Sequence, residues 1–484
     1  MTENALFDAL LQSQADADPF LEAPGTSPLS YGDLRCKVLQ AIAHLQNAGV
    51  APGDRVLCQI EKSPEGLILY LATVGAGAIF VPLNTGYTGA EIDYFLQDAD
   101  PSLLILDAST QHARDAATVR GVAVVSPATL TAEGPEAAPV PRASDDLAAI
   151  LYTSGTTGRS KGAMLTHGNL ISNAHALTGL WRFTTDDTLL HALPIFHTHG
   201  LFVATNVVLG AGARMLFLPA FGLDALAEHM PRCTAMMGVP TFYTRMLSDP
   251  RFTRAALAHM RLFISGSAPL LSESHAAFER QTGHAILERY GMTETNMITS
   301  NPYDGPRIAG TVGLPLPDVS LRIASPDEHG IGGIEVKGPN VTPGYWRNPE
   351  KTDESFTEDG WFITGDLGEI DARGYLSIVG RQKDLVISGG FNIYPKEVEV
   401  QIDALPGVQE SAVYGVAHPD LGEAVAAAVV LTEPGATDEA TIVAALDDHL
   451  ARYKIPRTIR FLTGLPRNTM GKVQKNVLRD GYGA

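Results

Sequence analysis

Short apolar runs alternate with helical periods through the first two-thirds of the chain, and this alternation restricts the fold more than any other feature. Arg55–Ile60, Leu103–Leu106, Leu147–Tyr152, Arg261–Ser265 and Ala285–Tyr290 have the length and apolar content of buried strands. Tyr31–Ala48 and Asn169–Leu180 carry helical spacing between them. The pattern predicts an α/β fold, with parallel sheets covered by helices and ligands outside the carboxyl ends of the strands. At 484 residues the chain exceeds one core, which stops growing near about 250–300 residues, so two or more domains are expected.

A net charge of −19 argues against nonspecific binding to nucleic acid or an anionic membrane, so an anionic ligand needs local positive charge. Cys36, Cys58 and Cys233 are widely spaced, without a C-x-x-C pair. No even disulfide framework or metal cluster is expected, and a reducing cytoplasm is. The N-terminal residues lack a basic region, so no signal peptide is read. Gly66–Ala90 is uncharged and long enough to span a bilayer. Its five glycines and Pro82 favour a buried helix, loop and strand instead.

Directly after the Leu147 run comes Thr153-Ser154-Gly155-Thr156-Thr157-Gly158-Arg159-Ser160-Lys161-Gly162. Glycines let backbone approach closely, hydroxyls and amides donate to oxygens, and Lys161 offsets charge, which suits a loop around polyphosphate. The spacing does not fit G-x-x-x-x-G-K-[ST], so this is not a Walker-type loop. Alone, the stretch also reads as a Ser/Thr/Gly surface loop.

Thr131–Ser144, rich in Ala, Pro and Glu, reads as a surface connection. After about residue 310 the texture changes to short strands with frequent Gly and Pro, followed by Gly380–Gly390 and a compact tail. The tail reads as a helix Pro395–Ile402, strands Ser411–Val416 and Ala424–Leu431, a helix Thr437–Leu450 and a strand Thr458–Leu462. Residues 1–382 and 383–484 are the expected domains. Residues 452–475 hold seven cations and no acid. Such a run is commonly a solvated face, but beside a phosphate loop it suggests a surface that closes over anions.

Further motifs follow in order: Tyr290-Gly291-Met292-Thr293-Glu294, Thr364-Gly365-Asp366, Gly380-Arg381 and Asn468-Thr469-Met470-Gly471-Lys472-Val473. Each is weak singly. In this order the chain resembles the adenylate-forming superfamily, which contains acyl-CoA synthetases, luciferases and the adenylation domains of peptide synthetases. The resemblance implies two α/β subdomains and a small β-barrel in a large N-terminal domain, plus a small mobile α+β C-terminal domain. It implies ATP and CoA as co-substrates, with Mg²⁺.

Residue by residue, the resemblance places Thr153, Ser154, Gly155, Thr156, Thr157, Gly158 and Lys161 on the β- and γ-phosphates. Gly266-Ser267-Ala268 and Tyr290 bracket adenine, within a nucleotide site that includes Glu288, Arg289, Gly291, Met292 and Thr293. Asp366 accepts from the ribose, with Arg381 nearby. Glu294, assisted by Thr156, holds Mg²⁺, since a hard cation wants oxygen ligands. Lys472 bridges the substrate carboxylate and α-phosphate, with Thr293 and His197 as further catalytic candidates. Lys383 is the hinge, and Ser388-Gly389-Gly390-Phe391 line the CoA channel.

Glu288–Met297 with Val239–Arg245 looks closest to malonyl-CoA synthetases. A dicarboxylate brings a second charge into the pocket that must be paired, and Arg245 is the candidate, with His197 and His199 behind it. An ordinary helix-surface arginine is the equal alternative for Arg245. Zinc at the two histidines is not expected, because no third ligand is evident. The reading is an ATP-dependent, cytoplasmic acid–CoA ligase for malonate. Its rivals are a ligase for methylmalonate, acetate, a fatty or an aryl acid, a carrier-protein-loading enzyme, and a silent nucleotide-binding regulator. Oligomeric state is left open.

Overall fold

The computed structural model describes residues 4–481 apart from 13, 108–110, 154–159, 389–390, 420, 448 and 469–470. The apolar runs assemble into two large mixed sheets. One has six strands in the order Ala123–Val125, Leu103–Leu106, Arg55–Gln59, Ile79–Pro82, Leu147–Thr153 and Lys161–Thr166. Only the last pairing is antiparallel. The other has nine strands around a parallel centre: Leu287–Met292, Leu262–Ser265, Ala235–Gly238, Thr188–His191, Arg214–Phe217 and Pro19–Glu22.

One apolar core joins the two sheets. Val56 and Phe80 from the first and Leu189, Met237 and Ile264 from the second share it with Leu67–Val74 of the helix Pro64–Gly75. Pro64 pre-sets the first turn of that helix, and residues 66–75 are all buried. The uncharged stretch is therefore a core helix followed by the strand Ile79–Pro82, as its glycines suggest. Gly75 makes a close contact there, since a Cβ would lie 2.6 Å from Ile42 Cδ1 and would push that side chain aside. Among the described residues, no helix is long and apolar enough to cross a membrane.

Ser320–Ala324, Gly332–Lys337, Phe362–Ile370 and Leu376–Arg381 form a four-stranded antiparallel sheet where the small barrel is expected. A five-stranded sheet from the tail follows, built on the long hairpin Val408–His418 and Gly422–Leu431. Between the two sheets, Gln382–Asp384 makes one 3₁₀ turn. The helix Pro395–Asp403 and the strand Thr458–Leu462 fall where the periodicity places them, while the second tail helix is shorter, Glu439–Asp447.

The basic run 452–475 is partly paired within its own domain. Lys454, Arg467 and Lys475 pair with Glu397, Glu410 and Glu399 within the tail itself. Those cations hold the small domain together. Arg452, Arg457 and Lys472 keep exposed side chains.

Candidate active site

The parallel strands of the nine-stranded sheet end on one edge, and the segments leaving that edge build the site. Ser265 leads into Gly266-Ser267-Ala268, His191 into the segment carrying His197 and His199, and Glu288–Met292 lies within its own strand. That strand runs through Tyr290, Gly291 and Met292, so the motif expected to follow a strand is largely inside one. Thr293 and Glu294 then sit in the turn before the antiparallel strand Asn296–Ser300. Gly291 is required here, because a Cβ would stand 2.0 Å from the Asn296 carbonyl oxygen.

Arg289 is the most telling residue of this edge. It is 3% exposed, and its Nε and Nη2 have no hydrogen-bond partner. Burial pulls the guanidinium down to about 9. It packs flat on Gly266, where a Cβ would lie 2.4 Å from Arg289 Cζ. Ser267 adopts φ +71°, a strained conformation for a side-chain-bearing residue. Its Oγ lies 3.2 Å from His199 Nδ1, while His199 Nε2 is unpartnered. His199 opens the π-helix His199–Thr205 and is fully enclosed. Half-buried His197 is held down to about 3 by burial and by the charges of Lys472 and Arg289.

A carboxylate cluster lies opposite. Tyr290 donates to Asp366 Oδ2 at 2.5 Å, and Arg381 Nε stands 3.0 Å from Asp366 Oδ1. Asp366 is 5% exposed. Glu294 is also buried, and its Oε1 accepts from the Tyr345 hydroxyl at 2.9 Å. Burial raises the Glu294 carboxyl above its ordinary range. Lys161 is the first residue of the strand Lys161–Thr166 rather than part of the loop, with its Nζ 5.8 Å from the Tyr345 ring centre. Thr153 ends the preceding strand; Ser154, Gly155, Thr156, Thr157 and Gly158 lie outside the described residues.

Lys472 reaches into this cleft from the tail domain. Its side chain stays open to solvent, yet desolvation and the charges of Arg381 and Arg289 lower its ammonium, against the opposing pull of Asp366 and Glu294. The site therefore gathers Lys472, Arg289, Asp366, Glu294 and His197 from three sheets and two domains. Glu288, next to Arg289 in the strand, is buried, with an unpartnered Oε1 and a carboxyl pushed up to about 8 by burial.

Other expectations are placed apart. Arg245 lies exposed in the last turn of the helix Pro240–Leu247, with its Cζ 5.8 Å from the Phe221 ring. Lys383 is exposed in the 3₁₀ turn between the sheets. Ser388 is buried, Phe391 is exposed and stacked on Tyr453 at 4.5 Å, and Gly389 and Gly390 lie outside the described residues. Among the described residues no group of three or more His, Cys, Asp or Glu could hold a metal by itself.

A cavity of about 250 Å³ opens near His197, with Ile195, Phe196, Phe221 and Phe242 among its walls. Lys62 also lines it, and no sequence motif points to this residue. Its Nζ is 3.0 Å from His191 Nδ1, 2.9 Å from the His191 carbonyl and 4.2 Å from the Phe217 ring centre. His191 Nε2 lies 2.9 Å from the Gly200 carbonyl, so it carries the proton and Nδ1 accepts from Lys62. Only the tertiary fold brings these groups together.

This geometry has counterparts. Residues 11–346 match the family model of AMP-binding enzymes, and residues 397–472 match that of the AMP-binding enzyme C-terminal domain. The chain belongs to the AMP-binding enzyme family, and within it to the adenylate-forming, ATP-dependent acid–CoA ligases. A feruloyl-CoA synthase from Amycolatopsis sp is 36% identical, over 95% of each chain. A malonate–CoA ligase from Arabidopsis thaliana is 37% identical, over 89% of this chain and 78% of the relative. The ATP-bound structure of MatB from Rhodopseudomonas palustris superposes with a TM-score of 0.96 at 53% identity, covering 100% of this chain and 99% of that one. The apo structure of the same protein, at the same identity and coverage, gives 0.85.

Proposed function

We propose that this ligase acts on malonate, through a malonyl-adenylate whose acyl group passes to CoA. The observation that carries the reading is Arg289, a buried guanidinium with unpaired donors facing the reacting edge. An unpaired buried charge is costly, and a substrate carboxylate with bidentate geometry relieves that cost. A monoacid leaves the guanidinium unpaired. The 53% identity to MatB and the malonate–CoA ligase relative support the same choice. Arg245 is kept as an outer partner for the incoming dicarboxylate.

In the first half-reaction a carboxylate oxygen attacks the α-phosphorus of ATP and pyrophosphate leaves. Lys472 is proposed to lie between these anions and stabilise the charge that builds there, with His197 and Thr293 beside it. Asp366 accepts from the ribose, Tyr290 and Gly266–Ala268 flank adenine, and Glu288 lies at the base's edge. Arg381 orients Asp366. Glu294, a buried carboxylate close enough to Lys161 to act on its ammonium, fits Mg²⁺; Thr156, the other proposed ligand, lies outside the described residues. When bound, the ion neutralises phosphate charge.

In the second half-reaction the CoA thiolate displaces AMP at the acyl carbon. Domains 1–382 and 383–484 are proposed to rotate about Lys383 between the two steps, bringing Ser388–Phe391 towards the CoA arm. The apolar cavity beside His197 is a path for that arm or for a longer acid. The second possibility, with the feruloyl-CoA synthase relative, favours an aryl acid as the alternative substrate. Cys36, Cys58 and Cys233 are all unpaired, in keeping with a proposed cytoplasmic site. Thioester formation across malonate, methylmalonate, acetate, ferulate and a fatty acid decides the substrate. Malonate should give the highest kcat/KM, and a preference for ferulate would replace this reading.

A further inference from the structure

The turn between Ser320–Ala324 and Gly332–Lys337 presents one carboxylate to the small domain. Asp327 Oδ1 accepts from the backbone N–H of His329 at 2.9 Å and of Ile331 at 3.0 Å. Those two bonds fix the side chain within its own hairpin. Its Oδ2 is left facing outwards, and it accepts from the Tyr394 hydroxyl at 3.0 Å. Tyr394 lies in the other domain, immediately before the helix Pro395–Asp403, eleven residues after Lys383, and is only 8% exposed. Burial opposes ionisation of Asp327, but the hydrogen bonds from Ile331, His329 and Tyr394 outweigh it and keep the carboxyl low. Burial and that carboxylate push Tyr394 up to about 12, so the pair is phenol to carboxylate.

Two features tie this contact to the first half-reaction. Lys396, two residues on, is close enough to Glu288 to act on its carboxyl, so the same segment lies against the adenine side of the site. The arrangement that makes the contact also carries Lys472 into the cleft, and it superposes better on ATP-bound than on apo MatB, 0.96 against 0.85. Rotation about the 3₁₀ turn Gln382–Asp384 would carry Tyr394 away from Asp327.

We propose that Tyr394 is a positioning residue: its hydrogen bond to Asp327 latches the small domain in the adenylate-forming arrangement, holds Lys472 over the cleft, and breaks before the thioester step. The inference rests on the two-step ligase reading above.

The test uses the full chain with Tyr394→Phe, which removes only the hydroxyl, and measures the half-reactions separately. Pyrophosphate release from ATP and malonate without CoA reads the first, and thioester formation from supplied malonyl-adenylate reads the second. The latch predicts a first step slowed about 5- to 20-fold through kcat, an unchanged KM for malonate, and a second step unchanged or faster. In a Lys472→Ala background the same substitution should add little further loss, because Lys472 is what the latch positions. Asp327→Asn, which keeps an oxygen for the turn, should shift the ratio of the two steps in the same direction. Equal losses in both steps, no change in either, or full additivity with Lys472→Ala would overturn the latch. If wild-type enzyme releases no pyrophosphate without CoA but still makes thioester, the two-step reading fails and the latch with it.

Discussion

The Tyr290 hydroxyl donates to Asp366 Oδ2 at 2.5 Å, joining the edge of the nine-stranded sheet to the four-stranded sheet across the candidate cleft. With Arg381 on the other carboxylate oxygen, Asp366 is held in one orientation. Burial and the adjacent carboxylate keep Tyr290 far above its ordinary value, so the phenol remains a donor. Hydrogen bonds involving a charged group are worth about 1.5–3 kcal/mol. Asp366→Ala should therefore raise the KM for ATP roughly 10- to 100-fold, with little effect on the KM for CoA. Steady-state kinetics with each substrate varied in turn checks this.

Lys472 is proposed to meet the reacting centre in the arrangement described here, where Asp366 and Glu294 act on its ammonium. Lys472→Ala should slow adenylate formation by roughly 10²–10³-fold, the scale of one positioned donor at a developing charge. Thioester formation from supplied malonyl-adenylate should survive. Equal losses in both half-reactions would show that Lys472 does not bridge carboxylate and phosphate.

Arg289 and Arg245 make separable predictions. Arg289→Met keeps the bulk over Gly266 but removes the charge, and should lower kcat/KM for malonate at least 100-fold while activity on acetate holds or rises. Arg245→Ala, at an exposed position, should cost less. A larger loss at Arg245 would transfer the carboxylate role to the outer arginine.

His167 supplies a pH test of stability. Its Nδ1 accepts from the Leu6 backbone N–H at 3.2 Å, its ring is wholly buried, and burial holds it down to about 4. The unfolded chain takes up a proton there below about 6.5, whereas the native state refuses it until about 4. The resulting stability is complete above about pH 6.5 and is lost as pH falls towards 4, on the order of 3 kcal/mol at most. His167→Asn should flatten that part of a denaturation-against-pH curve, leaving the shares of His197 and the other buried histidines.

Local pattern carried much of the fold. Leu103–Leu106 and Thr458–Leu462 are strands over those residues, and Tyr31–Asn47 is a helix whose Ser30 and Asp33 form a capping box. What pattern could not give was long-range. Nothing near Lys62 in sequence announces His191, 129 residues away. The spacing of Arg289 does not reveal that Gly266 seats it or that two of its nitrogens lack partners. Glu294 was legible as an acid in a motif, whereas its bond to Tyr345 depends on a contact 51 residues along the chain. Counting charges in the basic run does not show that Glu397, Glu399 and Glu410 already take three of its cations.

One cleft is proposed to join malonate to AMP before sulfur enters. Exchange of labelled pyrophosphate into ATP, with malonate present and CoA absent, tests it most directly. Malonate-dependent exchange, abolished by Lys472→Ala, is the predicted result. No exchange with malonate or any other acid, from enzyme that binds ATP, would contradict it.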